Sequence, residues 1–333
     1  LLTLSIDLKS IAGLGKKAII MFLTGTVGVV IGGPIALLAT ATFMPELLGV
    51  AGPEAVWRGM AALAGSWIGG GANMVAMKEI YGAGGEIFTI MVTVDIVVAN
   101  LWMAGLLYLA ARHKQIDAAT GADTSSIDRL IDKVQKFEAD HARKPELRDI
   151  MILIAFAFGA TGLAHFAADL LVPFFVEHFP ELKKFSLHSK LFWIIVLVTT
   201  VGLGLSFTKA RQFEAVGASK IGSSFLYILV ATIGLHMDIT KIVEAPKYVV
   251  IGLIWMAVHI SLLFLVAKII KAPVFYVAVG SKANIGGAAS APVVASAFHP
   301  ALAPVGVLLA VLGYALGTYM AWLCGQLLRI IGS

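Results

Sequence analysis

Charged residues are scarce in this sequence: Asp, Glu, Lys and Arg make up 14% of its 333 residues, whereas a soluble domain carries about a quarter. Hydrophobic residues make up 59%, and the mean hydropathy is +0.91. Runs of about 20 apolar residues, long enough to cross a bilayer core, recur along the chain. These features exclude a soluble domain and predict an all-α, multi-pass inner-membrane protein. The net charge of +5 therefore does not indicate a nucleic-acid partner.

The sequence has one cysteine, Cys324, inside an apolar stretch. A single cysteine excludes an internal disulfide and most thiolate metal sites. The HExxH and GxSxG motifs are also missing, which makes an intramembrane enzyme a remote alternative. No charged ring or filter motif repeats as a channel would require. We expect no catalytic residue, no structural metal and no cofactor, with Na⁺ as a candidate coupling ion.

Apolar runs divide the chain into two transmembrane repeats, 1–111 and 149–333, joined by a polar linker at 112–148. A helix stub ends near Asp7, and the spans that follow are predicted at 18–41, 86–111, 149–176, 191–207, 222–237, 248–270 and 301–330. Two further apolar segments, 55–81 and 275–298, are interrupted by glycines.

The linker is predicted to contain an amphipathic surface helix. Ser125 and Asp128 resemble a capping box, and one helical face is then apolar: Ile127, Leu130, Ile131, Val134 and Phe137. Acidic residues count little in the positive-inside rule, so the many basic residues of the linker predict a cytoplasmic location.

Short matches between the two halves indicate an internal repeat. Asp7–Ile11 aligns with Asp238–Ile242, and two later matches keep the same order: Ile68-Gly69-Gly70 with Ile285-Gly286-Gly287, and Trp102-Met103-Ala104 with Tyr319-Met320-Ala321. If the first broken segment enters and leaves the membrane on the same side, the repeats have inverted topology. We favour this arrangement because it places both basic loops inside.

The chain does not begin with Met, and Leu1 already lies in an apolar run without the basic start of a signal peptide. Extending the repeat backwards predicts about two whole helices and most of a third before residue 1.

The two broken segments supply the candidate substrate-binding residues: Ser66, Gly69, Gly70, Asn73, Lys282, Asn284, Gly286, Gly287 and Ser290. Consecutive glycines lower the cost of unwinding a helix and let backbone approach a ligand closely. Half-helix N-termini favour an anion, and freed carbonyls favour Na⁺. The alternative is that glycines only permit close helix packing, which is the interpretation we prefer for the Gly28/Gly32 and Gly313/Gly317 pairs.

Asp95 lies near the centre of a predicted span. A carboxylate there costs at least about 2.5 kcal/mol, so it needs a partner, a proton or a cation. We predict a coupling-ion site at Asp95, with Thr93 and Asn100 nearby. The alternative is a structural ion pair with Lys282, and both roles can hold. His259 is also mid-span, and we prefer a satisfied buried histidine to a proton relay.

The chain resembles the YjcL-like family of bacterial integral membrane proteins, domain of unknown function family 819. The resemblance runs over nearly the whole chain and is carried by four stretches: Ser5–Lys9, Gly25–Pro34, Gly65–Asn73 and Ser281–Pro292. That family is similar in architecture to the cation-antiporter and anion-transporter superfamily. The kinship implies Na⁺- or H⁺-coupled transport by an elevator-like motion. It does not identify the substrate.

Two functions remain open from the sequence. The first is Na⁺- or H⁺-coupled symport of a small organic anion or amino acid, bound between the broken segments near Lys282. The second is a cation/proton antiporter without an organic substrate, in which Asp95 alternates between Na⁺ and H⁺. The expected partners are a small anionic solute and the lipid bilayer. A homodimer is compatible with either function.

Overall fold

A computed structural model describes residues 15–125, 145–180, 187–218, 245–299 and 302–332, with single positions at 127, 182, 221–222, 224–225 and 228. Several predictions fall outside these residues. They are the stub near Asp7, the match of Asp7–Ile11 with Asp238–Ile242, most of the amphipathic linker helix and most of the 222–237 span.

The described part of the chain is helical and contains no strand. Its α-helices are α1 Lys16–Ala41, α2 Val56–Gly69, α3 Gly71–Tyr81, α4 Gly85–Ala111, α5 His113–Thr120, α6 Leu147–His178, α7 Lys190–Ser206, α8 Ala245–Ile270, α9 Val274–Asn284, α10 Gly287–Phe298 and α11 Ala303–Gly332. Five of them (α1, α4, α6, α8 and α11) are long and apolar enough to cross a membrane. The prediction of an all-α membrane protein is confirmed.

Both predicted broken segments fold back on themselves as helical hairpins. In the first hairpin, α2–α3, the rings of Trp57 and Tyr81 lie 5.9 Å apart, so the start of α2 meets the end of α3. In the second hairpin, α9–α10, the rings of Phe275 and Phe298 lie 5.4 Å apart. Each hairpin therefore has a closed base and a tip at its glycine break.

Helix α11 carries the two hairpins on its opposite halves. A Cβ built on Gly306 would lie 2.6 Å from the carbonyl oxygen of Ala291 in α10. Towards the C-terminus of α11, a Cβ on Gly325 would lie 2.3 Å from the Tyr81 ring, which is at the base of the first hairpin. Because one hairpin covers each half, their tips meet near the middle of α11.

Helix α4 bridges the same two hairpins from another side. At its N-terminal end, the Ile87 side chain would lie 2.5 Å from a Cβ on Gly59 of α2. At its C-terminal end, Leu106 packs with Ala278 of α9 and Val294 of α10. The two hairpins, α4, α11 and the α1–α8 pair form the main buried core.

Helices α6 and α7 form a second, looser group. Only 11% of the most apolar window of α6 is buried, and the group has small apolar clusters of its own. Its contacts with the core include the Thr200 hydroxyl of α7, which lies 2.7 Å from the Tyr319 hydroxyl of α11. Phe192 of α7 is also buried with the main core, and its ring lies 6.3 Å from that of Trp322 in α11. The fold thus places a compact core beside a helical pair that contacts it through α7.

Candidate functional site

The tips of the two hairpins meet at Gly313 and Tyr314 of α11. A Cβ built on Gly313 would lie 3.0 Å from the carbonyl oxygen of Ala283 and 3.2 Å from that of Ile68, one from each hairpin. The Tyr314 ring lies against Gly70 and Gly287, again one from each. Since any side chain at position 313 would crowd both carbonyls, glycine permits the tip-to-tip contact.

Glycines make both tips possible. Gly70 has φ +79°, and Gly286 and Gly287 have φ +112° and +58°. Side chains disfavour this left-handed region, whereas glycine enters it freely. The helices therefore break at the predicted positions, and the first turns of α3 and α10 begin at the centre of the core.

Asp95 faces the first hairpin just before its tip. The Ser66 hydroxyl donates to Asp95 Oδ2 at 2.6 Å, and the Trp67 indole N–H donates to Oδ1 at 2.8 Å. Both donors come from the last turns of α2. Together they hold both carboxyl oxygens, so α4 presents a hydrogen-bonded carboxyl group beside the junction of the tips.

Lys282 lies on the other side of the junction, in the last turn of α9. It is 2% exposed, and its ammonium donates to the carbonyl oxygen of Ala99 at 3.1 Å. Ala99 follows Asp95 by one turn of α4. The charges of Lys282 and Asp95 attract each other, but in the described chain they form no direct ion pair.

Thr93 and Asn100 do not join this cluster. The Thr93 hydroxyl donates to Thr89 O and the Asn100 amide to Ile96 O, both within α4 itself. Asn100 is exposed on the outer side of α4. Successive helical residues turn by about 100°, which directs both side chains away from the face that carries Asp95.

Asn284, a predicted substrate residue, is fully engaged with protein groups. Its amide nitrogen donates to Phe22 O and Gly280 O, each at 2.9 Å, and its oxygen accepts from the Thr26 hydroxyl at 2.8 Å. These bonds fasten the end of α9 to α1. In this structure Asn284 is a positioning residue for the second tip.

His259 takes part in a closed hydrogen-bond chain. The Trp102 indole N–H donates to the Ser281 hydroxyl, which lies 2.8 Å from His259 Nε2. His259 Nδ1 lies 3.0 Å from the carbonyl oxygen of Gly25, which can only accept. This complementarity assigns the ring proton to Nδ1. His259 is fully buried and has both ring nitrogens bonded, as a satisfied core histidine should.

Two buried polar atoms at the tips have no hydrogen-bond partner among the described residues: Asn73 Nδ2 and Ser290 Oγ. Each residue stands three positions after the last glycine of its matched motif, Gly70 or Gly287. Both therefore lie in the first turn of the second helix of a hairpin. Ser290 lies over Gly286, where the Lys282 ammonium also approaches.

A cavity of about 440 Å³ opens beside the first tip. One wall is formed by the core residues Gly69, Ala72, Asn73 and Tyr314, and the opposite wall by α6, α7, Gly222 and Phe225. Of the predicted substrate residues, Gly69 and Asn73 line this cavity. Ser66, Lys282 and Asn284 do not, because protein groups enclose them.

Sequence patterns missed two residues at the junction. Trp67 lay inside the glycine-rich motif, but nothing in its spacing indicated a bond to Asp95. Tyr314 follows a glycine that we assigned to packing, and no motif marked it. Among the described residues no group of three His, Cys, Asp or Glu side chains could hold a metal ion.

Comparison with known proteins gives matches over nearly the whole chain. The model of the family described as protein of unknown function (DUF819) matches residues 1–331. The chain belongs to the DUF819 family. Its similarity to the uncharacterized membrane protein YjcL of Bacillus subtilis (strain 168) is 24% identity over 334 residues, covering 98% of this chain and 79% of YjcL. No solved structure matches the chain.

Proposed function

We propose that this DUF819 member is a secondary active transporter of the bacterial cytoplasmic membrane that couples Na⁺ or H⁺ to symport of a small organic solute. The observation that supports it best is the meeting of two hairpin tips from opposite halves of α11, beside Asp95. Broken helices from paired repeats, with a binding site at the repeat interface, are typical of secondary transporters.

The direction of the hairpins favours inverted repeats. In each half a long helix, a hairpin and another long helix follow in the same order: α1, α2–α3 and α4, then α8, α9–α10 and α11. The hairpins approach the centre from opposite ends of α11. We infer that both are re-entrant segments and that the two halves have opposite orientation in the membrane.

Asp95 is the proposed coupling group. Its carboxylate accepts two hydrogen bonds but has no contact cation in the described chain. A monovalent cation or a proton at Asp95 would neutralise its charge, whereas the empty state leaves a charge at membrane depth, where charges are costly. Loading and unloading of this group can therefore bias the conformational equilibrium of the core.

Uptake into proteoliposomes tests the proposal. Purified protein is reconstituted, an inward Na⁺ or H⁺ gradient is imposed in separate experiments, and accumulation of labelled organic anions and amino acids is followed. We expect accumulation above the equilibrium level with one gradient and its collapse with the matching ionophore. Equal uptake with and without either gradient would contradict ion coupling.

A cation/proton antiporter is the second candidate, and the position of the cavity favours it. Asp95 does not line the cavity beside the first tip, so its titration need not involve an organic solute. Addition of Na⁺ to vesicles with an acidic interior should then dissipate the proton gradient without any solute. If the proton gradient is dissipated only when an organic anion is added, the result would favour the symporter.

A further inference from the structure

The two groups bonded to Asp95 differ in what they can offer an ion. The Ser66 hydroxyl, 2.6 Å from Oδ2, can donate or accept a hydrogen bond, whereas the Trp67 indole N–H, 2.8 Å from Oδ1, can only donate. A hard cation such as Na⁺ takes oxygen ligands, so Trp67 cannot serve as one. Its N–H instead occupies the carboxyl oxygen that a cation would need.

The backbone carbonyls freed at the two tips are turned towards another helix. The last carbonyls of a helix have no intrahelical partner, which makes them natural ligands for Na⁺. Here Ile68 O and Ala283 O, from the last turns of α2 and α9, lie against Gly313 of α11. Asp95 is on α4, so these two carbonyls converge away from the helix that carries the carboxyl group.

The polar side chains of α4 do not supply the missing ligands either. Thr93 and Asn100 bond to carbonyl oxygens of their own helix. The described side chains therefore bring together the two carboxyl oxygens of Asp95 and the hydroxyl oxygen of Ser66. A hard cation in a protein site commonly has about six oxygen ligands, so this set falls well short of a Na⁺ site.

A proton, in contrast, fits the geometry without any movement of heavy atoms. When the carboxyl group is ionised, the Ser66 hydroxyl donates to Oδ2. When Oδ2 carries a proton, it donates to Ser66 Oγ across the same 2.6 Å, which is a usual length for an O–H···O bond of either direction. The Trp67 N–H donates to Oδ1 in both states.

Ionisable side chains of the surrounding helices are bonded to other groups. Lys282 of α9 attracts the ionised Asp95 carboxyl, but its ammonium donates to a backbone carbonyl of α4. Both ring nitrogens of His259 in α8 are bonded elsewhere, and Arg58 of α2 donates at the base of the first hairpin. Helix α10 has no ionisable side chain. The described structure thus provides no second acid or base in contact with Asp95.

We propose that Asp95 exchanges a proton rather than Na⁺ as the coupling ion. The proposal rests on the proposed transport function and narrows its choice of ion. In each cycle the Asp95 carboxylate takes one proton from the water on one side of the membrane, holds it in an O–H bond at Oδ2 beside Ser66, and releases it to the water on the other side.

Infrared difference spectroscopy of the wild-type protein in nanodiscs tests the ion directly. A protonated carboxyl group has a C=O stretching band that a carboxylate lacks. We expect a band of Asp95 that is present in acid and lost as the pH rises. Replacement of K⁺ by Na⁺ at constant pH and ionic strength should leave this band unchanged, whereas a carboxyl group that exchanges its proton for Na⁺ would lose it.

Variants assign the band. Asp95→Asn should remove it, and Ser66→Ala should shift its frequency, because the hydrogen-bond partner of Oδ2 is lost. Ser296→Ala is the matched control, since the Ser296 hydroxyl donates to Val293 O within α10, and it should leave the band unchanged. If Asp95→Asn does not fold, the shift in Ser66→Ala assigns the band instead.

Uptake into proteoliposomes gives the second readout, with the membrane potential held at zero. For exchange of one proton per solute, an inward gradient of about one pH unit should concentrate a transported organic anion or amino acid up to about tenfold. An inward Na⁺ gradient at equal pH should give no more accumulation than a K⁺ gradient.

Three results would overturn the proposal: no Asp95-dependent band at any pH, loss of the band on addition of Na⁺ at constant pH, or accumulation driven by Na⁺ without a pH difference. The proposed transport can fail separately. A band that titrates as expected, without uptake driven by either gradient, would retain the proton site and contradict the transporter.

Discussion

At the scale of single residues, Asp95 and Lys282 show how one carboxylate and one ammonium can be held close together in an apolar core without an ion pair. Ser66 and Trp67 occupy both carboxylate oxygens, and Ala99 O receives the ammonium. Each group is held by hydrogen bonds to protein groups rather than by a direct contact with the other. This arrangement leaves Asp95 able to take up a proton or a cation without first breaking a salt bridge.

Asp95→Asn should therefore abolish ion-coupled uptake while the protein stays folded. The amide keeps the shape and can still bond Trp67 and Ser66, but it cannot neutralise a cation or exchange a proton. Uptake in proteoliposomes and thermal unfolding in detergent are the two measurements. Asp169→Asn is the matched control, because Asp169 pairs with Lys190 at an exposed site, where an ion pair contributes only about 0–1 kcal/mol. Loss of both folding and uptake in Asp95→Asn would support a structural role instead.

The sequence predicted Asp95 as the important residue of its span but not its partners. A lone carboxylate in an apolar run is unfavourable enough to be recognised without a structure. The structure does not bring Thr93 and Asn100 to Asp95, because residues that are close in sequence can lie on opposite sides of a helix. The true partners, Ser66 and Trp67, come from another helix, and no local pattern specifies that contact.

At the scale of elements, the glycines divide into those that break a helix and those that let helices approach. Gly28 lies against His259 and Gly32 against Trp255, which brings α1 and α8 together. Gly317 lies against Gly69 and Asn73. The packing interpretation of both GxxxG pairs agrees with these contacts, and Gly313 has the further property of meeting both tips.

Substitution of Gly317 by Ala should destabilise the protein by roughly 1–3 kcal/mol, because the added methyl would lie 2.3 Å from Asn73 Nδ2 and 2.8 Å from Gly69 Cα. Gly162→Ala in α6 is the matched control, since nothing lies within 4 Å of its Cβ position. That change should be neutral or stabilise by up to about 1 kcal/mol through helix propensity. Thermal unfolding of both variants gives the comparison, and equal stabilities would contradict the close contact at Gly317.

The base of the second hairpin is held from outside the membrane spans by α5. Asp117 is 4% exposed, and its Oδ1 accepts from the Val274 N–H, the first of α9, at 2.8 Å. The His113 ring lies 5.3 Å from the Phe298 ring at the other end of the hairpin. Burial raises the pKa of the Asp117 carboxyl above its ordinary value, against the opposing effect of the Val274 hydrogen bond.

Removal of this cap in Asp117→Ala should cost about 0.5–2 kcal/mol of stability, whereas Asp117→Asn keeps an acceptor for Val274. The raised pKa means that the folded protein favours the protonated carboxyl. Its contribution to stability is therefore largest in acid and declines as pH rises through the raised value. Thermal unfolding against pH should show this decline in the wild type and less of it in Asp117→Asn. An identical pH profile in the two proteins would contradict the burial effect.

At the scale of the whole molecule, composition and apolar runs predicted the membrane class, the described spans and both helix breaks, because each depends on local sequence. The division into a compact core and a pair in which α7 contacts the core while α6 is largely exposed could not be predicted in this way. Helix α6 is as apolar as α4, with a hydropathy of 2.0 for each, yet it is much less buried. Which apolar helix faces lipid and which faces protein depends on contacts between distant segments.

The family resemblance implies an elevator-like motion, and we propose that in this fold the core moves relative to α6 and α7. The contact between Thr200 and Tyr319 joins the two groups and does not involve the cavity lining, so a cross-link there restricts motion without filling the cavity. In a Cys324→Ser background, the Thr200→Cys/Tyr319→Cys protein treated with a bifunctional thiol reagent should lose uptake and regain it on reduction. Asp169→Cys/Lys190→Cys joins α6 to α7 within one group and should retain uptake after the same treatment. Full uptake by the cross-linked Thr200/Tyr319 pair would show that transport does not require the core to move across α7.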